Sequence, residues 1–149
     1  MSNRILVLSG PNLGLLGTRQ PDVYGTATLA DHVAAASEEA SRFGLEVDHV
    51  ASDHEGDLVT AVGGARGTAA AILVNPGALT HYAWSLSDAL AAFDGPIVEV
   101  HLSNPHQRES WRRLSVVAPV VSGTVAGFGG ASYRLAVRAV AAILGRAEG

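Results

Sequence analysis

Short apolar runs rich in β-branched residues alternate along this chain with longer stretches whose apolar residues recur every three or four positions. The runs are Ile5 to Leu8, Leu45 to Val50, Ala70 to Val74 and Pro96 to His101. Val116 to Val125 reads as a fifth, with Pro119 near its start. Continuous apolar runs suit parallel strands covered on both faces. Between them, Leu29, Val33, Ala36, Ala40 and Phe43 follow a helical period that stops at Gly44. Ser52 and Glu55 form a capping-box pattern opening a helix to about Arg66, and Thr28 with Asp31 forms a weaker one. Tyr82 to Phe93 and Ala131 to Leu144 complete the helices, with a short helical turn before the fifth strand.

Strands alternating with helices predict an α/β three-layer sandwich around a five-stranded parallel sheet, and a flavodoxin-like strand order is the natural expectation. At 149 residues and 48% apolar content, the chain suits a single domain, 1–149, with a proper core. The same composition restricts function. A net charge of −4 is the opposite of the basic surplus that marks nucleic-acid binders. No run of eighteen apolar residues occurs, so no membrane association is expected. The start at Met1-Ser2-Asn3-Arg4 lacks a leader pattern, and a cytoplasmic protein is expected. Without cysteine there are no disulfides, thiolate nucleophiles or Cys-ligated metals. All ten basic residues are Arg, which excludes a Schiff-base lysine and a P-loop.

Ligands of parallel sheets bind beyond the carboxyl ends of the strands. After the first strand, about seventeen residues from Ser9 to Gly25 show no helical period. Connections this long are functional or disordered. Arg19 and Tyr24 lie five apart in it. A nearby guanidinium favours phenolate over phenol, so Tyr24 could act as a general base under a mobile lid. The alternative is a surface loop with a packed Tyr and a solvated Arg. After the third strand, Asn75 and His81 could hold a polar ligand, or Thr80 or His81 could cap the next helix. In the fourth strand, period two places Glu99 and His101 on one face, where the carboxylate could orient the imidazole. Backbone N–H groups near Ser103 could receive an anion. One of Arg108, Arg112 and Arg113 could bind a carboxylate or hydroxyls, the others being solvated. Asp53, His54, Glu55 and Asp57 read as an acidic helix start rather than a metal site. The glycines from Gly123 to Gly130 lack the dinucleotide spacing, with Ser132 in the third glycine's place. These residues suggest proton abstraction by Tyr24 and acid-assisted departure by His101 on a small polar anion, with no cofactor.

The same segments resemble the type II 3-dehydroquinases, or 3-dehydroquinate dehydratases. Gly10-Pro11-Asn12-Leu13, Leu15-Leu16-Gly17, Arg19, Pro21 and Tyr24-Gly25 carry the resemblance first. Ser52, Glu55-Gly56, Asn75-Pro76-Gly77-Ala78, Thr80-His81 and Asp88-Ala89-Leu90 follow. Glu99 to Asn104, Arg112, Gly123, Ala126-Gly127 and Gly129 complete it over nearly the whole chain. The resemblance implies anti dehydration of 3-dehydroquinate to 3-dehydroshikimate through an enolate, in the shikimate pathway of aromatic biosynthesis or in quinate catabolism. By resemblance, Tyr24 removes the C2 proton as phenolate, a form Arg19 favours. Asn12 stabilises the enolate through a bridging water. His101, oriented by Glu99, protonates the departing C1 hydroxyl. Asn75 with the backbone of Leu102 and Ser103 holds the carboxylate, and His81 and Arg112 bind ring hydroxyls. Asp88 comes from a neighbouring subunit, in trimers that stack into a dodecamer. No metal or cofactor is implied.

The chain departs from the family pattern at Gly14, Leu79, Ser87 and Asp53, and its Trp84 and Trp111 are unusual. None removes a residue assigned to chemistry, although Leu79 and Ser87 bear on the contact around Asp88. A flavin-binding or phosphoacceptor module of the same fold class fits poorly. The first loop offers only Ser9 and Thr18 for a phosphate, and the acids and Lys of a receiver are missing. A dehydroquinase-like scaffold without activity conflicts with the intact Arg19, Tyr24 and His101.

Overall fold

A computed structural model describes residues 2–149. Its elements are β1 (Arg4–Ser9), α1 (Pro21–Tyr24), α2 (Leu29–Ser41), β2 (Glu46–Ala51), α3 (Glu55–Ala65), β3 (Ala71–Asn75), α4 (Trp84–Ala91), β4 (Ile97–His101), β5 (Gly123–Ala126) and α5 (Ala131–Ile143). The strands form one sheet in the order β2-β1-β3-β4-β5, every neighbouring pair parallel. The flavodoxin-like α/β expectation is met. No described helix is long and apolar enough to cross a membrane.

Side chains of a strand alternate between its faces, and the central strands use both. Ile5, Val7, Ala71, Leu73, Val98 and Val100 join one core with α2 and α5. Leu6, Leu8, Ile72, Val74 and Ile97 join a second core with α3 and α4. Burying each Leu or Ile contributes roughly 1.5–3 kcal/mol, so β1, β3 and β4 form a rigid platform. Their carboxyl ends meet in register: Ser9 of β1 pairs with Asn75 of β3, and Val74 of β3 with Glu99 of β4. The loops beyond β1 and β3 pack directly on one another. A Cβ on Gly10 would stand 2.3 Å from the Pro76 carbonyl oxygen, so only glycine permits that approach.

Several local expectations need correction. The fifth strand covers only Gly123–Ala126, and residues 118–120 form a 3-10 turn. Val116 and Val117 are apolar because they enter the second core. The N–H groups of Val117 and Ala118 donate to Ser115 Oγ instead of a strand partner. β2 is not covered on both faces. It is an edge strand whose Glu46 and Asp48 are exposed and bound by Arg4, and charges of this kind discourage edge pairing. The Ser52–Glu55 capping box does not form. His54 is the N-cap, Ser52 Oγ accepts from His54 N–H and donates to Asp57, and Glu55 accepts from Ser85. Thr28 and Asp31, the weaker pattern, make the reciprocal box.

The Ser9 to Gly25 connection also has more structure than its sequence suggests. It contains a 3-10 turn at Leu13–Leu15 and the single turn of α1, too short to show a period. Pro21 starts α1, where its missing N–H costs nothing. Leu13 and Leu16 are buried in the first core and anchor the connection.

Candidate active site

A cleft lies at the carboxyl edge of the sheet, beyond β1, β3 and β4. Arg19, Tyr24, Asn75, His81, His101, Leu102, Ser103 and Arg112 all line it, as does Arg108. Glu99, Asn12 and Asp88 do not. Glu99 lies behind His101. Asn12 is exposed, with left-handed backbone, and its N–H donates to Asp53 Oδ1 at 2.9 Å. Asp88 sits on the exposed face of α4.

The anchored connection carries Tyr24 to the rim, where its ring packs against the first core. Arg19 Cζ lies 5.0 Å from the ring centroid and Arg108 Cζ 5.1 Å. It is Arg108 that reaches the hydroxyl: its Nη1 donates to Tyr24 Oη at 2.8 Å and to Ser103 Oγ at 3.3 Å. Two guanidinium charges therefore surround one phenol, and only one of them bonds its oxygen. Arg112 is also engaged, with Nε donating to Glu109 and the guanidinium 4.1 Å above Trp111.

The second half of the cleft comes from β4. Period two points Glu99 and His101 to the α3/α4 side, and they touch, His101 Nε2 to Glu99 Oε2 at 2.5 Å. Glu99 is 1% exposed. An isolated carboxylate there would be costly, but Thr80 Oγ1 donates to Oε2 at 2.5 Å and Ser115 Oγ to Oε1 at 3.1 Å. Burial opposes ionisation of Glu99, yet the hydrogen bond and charge of His101, with Thr80 and Ser115, outweigh it. The carboxyl is held below the ordinary carboxylate range. A carboxylate can only accept. His101 therefore carries a proton on Nε2, leaving Nδ1 as the ring nitrogen available to the cleft.

Asn75, 3% exposed, is fixed on both sides of its amide. Gly77 N–H donates to Oδ1 at 3.2 Å, and Nδ2 donates to the buried Tyr133 hydroxyl at 3.1 Å. His81 does not cap α4, and neither does Thr80; the N-cap is Ala83. His81 Nδ1 donates to the Leu114 carbonyl at 2.6 Å, with the ring edge-on to Trp111 at 5.2 Å. The unusual Trp111 thus braces both His81 and Arg112. Asp53, Glu55 and Asp57 turn to different partners, Asn12, Ser85 and Ser52.

Local sequence signals could not have assigned Arg108 to Tyr24, or Thr80 and Ser115 to Glu99. Those pairs are 84, 19 and 16 residues apart and meet only through the sheet and its loops.

A phenol ringed by guanidinium groups and a carboxylate-bound imidazole facing one cleft of a parallel α/β sheet make up an acid–base enzyme of the proton-transfer type. Known proteins narrow this further. A family model described as dehydroquinase class II matches residues 3–141. The chain is 53% identical to the 3-dehydroquinate dehydratase of Rhodopseudomonas palustris, over 97% of each chain. It is 52% identical to 3-dehydroquinate dehydratase 1 of Corynebacterium efficiens, over 92% of this chain and 91% of that protein. The crystal structure of the type II dehydroquinase from Propionibacterium acnes superposes with a TM-score of 0.89 at 41% identity, covering 95% of this chain and 98% of that one. The chain belongs to the class II dehydroquinase family.

Proposed function

We propose that this chain dehydrates 3-dehydroquinate to 3-dehydroshikimate, with Tyr24 as base and His101 as acid. The observation that carries the reading is the cleft itself, which presents Tyr24 under Arg108 and His101 on Glu99 within a class II dehydroquinase chain. Phenolate Tyr24 takes the C2 proton and leaves an enolate. Imidazolium His101 then gives the Nδ1 proton to the C1 hydroxyl, which departs as water as the double bond forms. A neutral His101 holding its only proton toward Glu99 has none to donate, so the acid form is the imidazolium. Solvent exchange returns Tyr24 and His101 to their starting states.

The oriented Asn75 amide and the backbone at Leu102 and Ser103 hold the substrate carboxylate, and His81 and Arg112 take ring hydroxyls. Asn12, outside the cleft in this arrangement, reaches the enolate through water. Asp88 does not line its own cleft, and a neighbouring copy supplies it within a trimer-based dodecamer. Exposed Tyr82 and Trp84 beside it, with Trp111 and Leu114, form an apolar surface suited to such a contact.

The test is direct. Purified protein mixed with 3-dehydroquinate, without added metal or cofactor, produces a rising ultraviolet absorbance from the conjugated enone. A folded protein that gives no rise refutes the activity.

The two arginines separate by their contacts. Arg108→Ala removes the only side-chain hydrogen bond that Tyr24 Oη receives among the described residues, whereas Arg19→Ala removes a charge that does not bond it. Charge-assisted hydrogen bonds exceed neutral ones. Arg108→Ala therefore lowers kcat by about tenfold to a hundredfold. Near-normal kcat in Arg108→Ala, measured by the enone absorbance, would leave its bond to Tyr24 without a part in turnover.

A further inference from the structure

We propose that Thr80 and Ser115 are positioning residues for the acid, holding Glu99 as the anion that fixes which nitrogen of His101 faces the substrate. The inference rests on the reading of His101 as the acid and adds two residues to it.

The proton assignments around Glu99 follow from counting donors. Ser115 Oγ accepts the N–H groups of Val117 and Ala118 at 3.2 and 2.9 Å. Both of its lone pairs are thereby used, and its one proton is free to donate. It lies 3.1 Å from Glu99 Oε1 and 2.8 Å from Thr80 Oγ1. The Thr80 hydroxyl, 2.5 Å from Glu99 Oε2, donates there. Every proton of this cluster can point toward Glu99 only if the carboxyl group is ionised. A proton on Glu99 Oε2 would oppose the Thr80 and His101 donors, and one on Oε1 would meet Ser115 Oγ with both lone pairs taken, even with the Ser115 proton turned to Thr80; either arrangement costs free energy at a buried site.

This cluster has a chemical consequence. With Glu99 ionised, His101 must present Nε2–H to it, and the substrate-side nitrogen is Nδ1. If Glu99 took up a proton, His101 Nε2 could accept from it instead. The imidazole would then lose the anion that balances its positive form. Thr80 and Ser115 oppose that exchange without touching His101 themselves.

Other charged groups surround the pair. His81, Arg108, Arg112 and Arg19 face it with Tyr24 from the substrate cleft. His106 and Arg113 face it from a second cavity behind β4 that also reaches Thr80, Glu99 and Ser115. The arginines stay charged throughout the working range. The remaining groups are common to parent and variants, so their titrations cancel in a comparison that changes Thr80 alone.

The discriminating variant is Thr80→Val, which keeps the shape and removes the hydroxyl. Infrared titration follows the carboxylic C=O band of Glu99, identified by its loss in Glu99→Gln. In Thr80→Val that band appears at a pH higher than in the parent by roughly one unit. The pH optimum of kcat/KM moves to higher pH, because a carboxylate oxygen that has lost the Thr80 donor accepts more strongly from His101 Nε2–H and favours the imidazolium. Thr80→Ser, which restores the hydroxyl, returns both to the parent values. Ser115→Ala, measured in the same way, tests the second donor and serves if Thr80→Val does not fold. A role confined to packing would lower the melting temperature and leave the band and the optimum in place; that result overturns the proposal. If the parent protein itself makes no enone, the dehydratase reading fails, while the infrared band still decides whether Thr80 holds Glu99.

Discussion

Tyr24→Phe is expected to lower kcat by roughly a thousandfold or more while the protein stays folded. The substitution removes one oxygen. The ring remains, with its packing on the first core and the two guanidinium groups 5.0 and 5.1 Å from its centroid. The lost atom is the acceptor of Arg108 Nη1. That bond lies at a solvent-accessible rim, where water can replace the lost partner and stability changes little. Circular dichroism and a melting curve check the fold, and enone absorbance measures turnover. Proton transfer to positioned groups supplies about a hundredfold to ten-thousandfold in enzymes generally. A variant that keeps near-parent turnover would remove Tyr24 from that role.

His101→Ala should fail in a different way. Proton removal by Tyr24 is retained, so the enolate still forms. Without the acid, the C1 hydroxyl must leave unassisted, and turnover falls by roughly a hundredfold to a thousandfold. The two failures separate in deuterium oxide. His101→Ala should recover substrate labelled at C2, as the enolate is reprotonated, with little product. Tyr24→Phe should recover unlabelled substrate. Mass spectrometry of recovered 3-dehydroquinate reads both. If His101→Ala forms product at the parent rate, the acid lies elsewhere. The variant also takes one donor from buried Glu99, a loss of about 1–3 kcal/mol, so its melting temperature should fall more than that of Tyr24→Phe.

Much of this arrangement was legible from residue order. The runs at Ile5 to Leu8, Ala70 to Val74 and Pro96 to His101 became the central strands because both their faces are buried, a condition that apolar continuity reports directly. Glu99 and His101 two apart in a strand had to share a face, and their contact followed. Legibility failed where one local pattern has two causes. Val116 and Val117 are apolar because they fill a core, yet they read as strand. Ser52 and Glu55 have capping-box spacing, yet Ser52 bonds Asp57 and Glu55 bonds Ser85 on α4. The edge strand β2 carries exposed Glu46 and Asp48, with no described strand paired on its outer side, a fact of strand order that no run of residues states.

The amino-acid sequence by itself determined the α/β class, the strands that form the platform, and the residue types available for chemistry. Periodicity and composition act over a few residues, and burial imposes them wherever an element sits. It also determined that any lysine or thiol chemistry is absent. Only the tertiary structure decided that Arg108 reaches the hydroxyl of Tyr24, that Thr80 and Ser115 hold Glu99, that Tyr133 fixes Asn75, and that Asp88 does not line its own cleft. These pairings join loops distant in the chain. They exist because the parallel sheet sets the carboxyl ends of β1, β3 and β4 side by side and leaves their loops one shared space to fill.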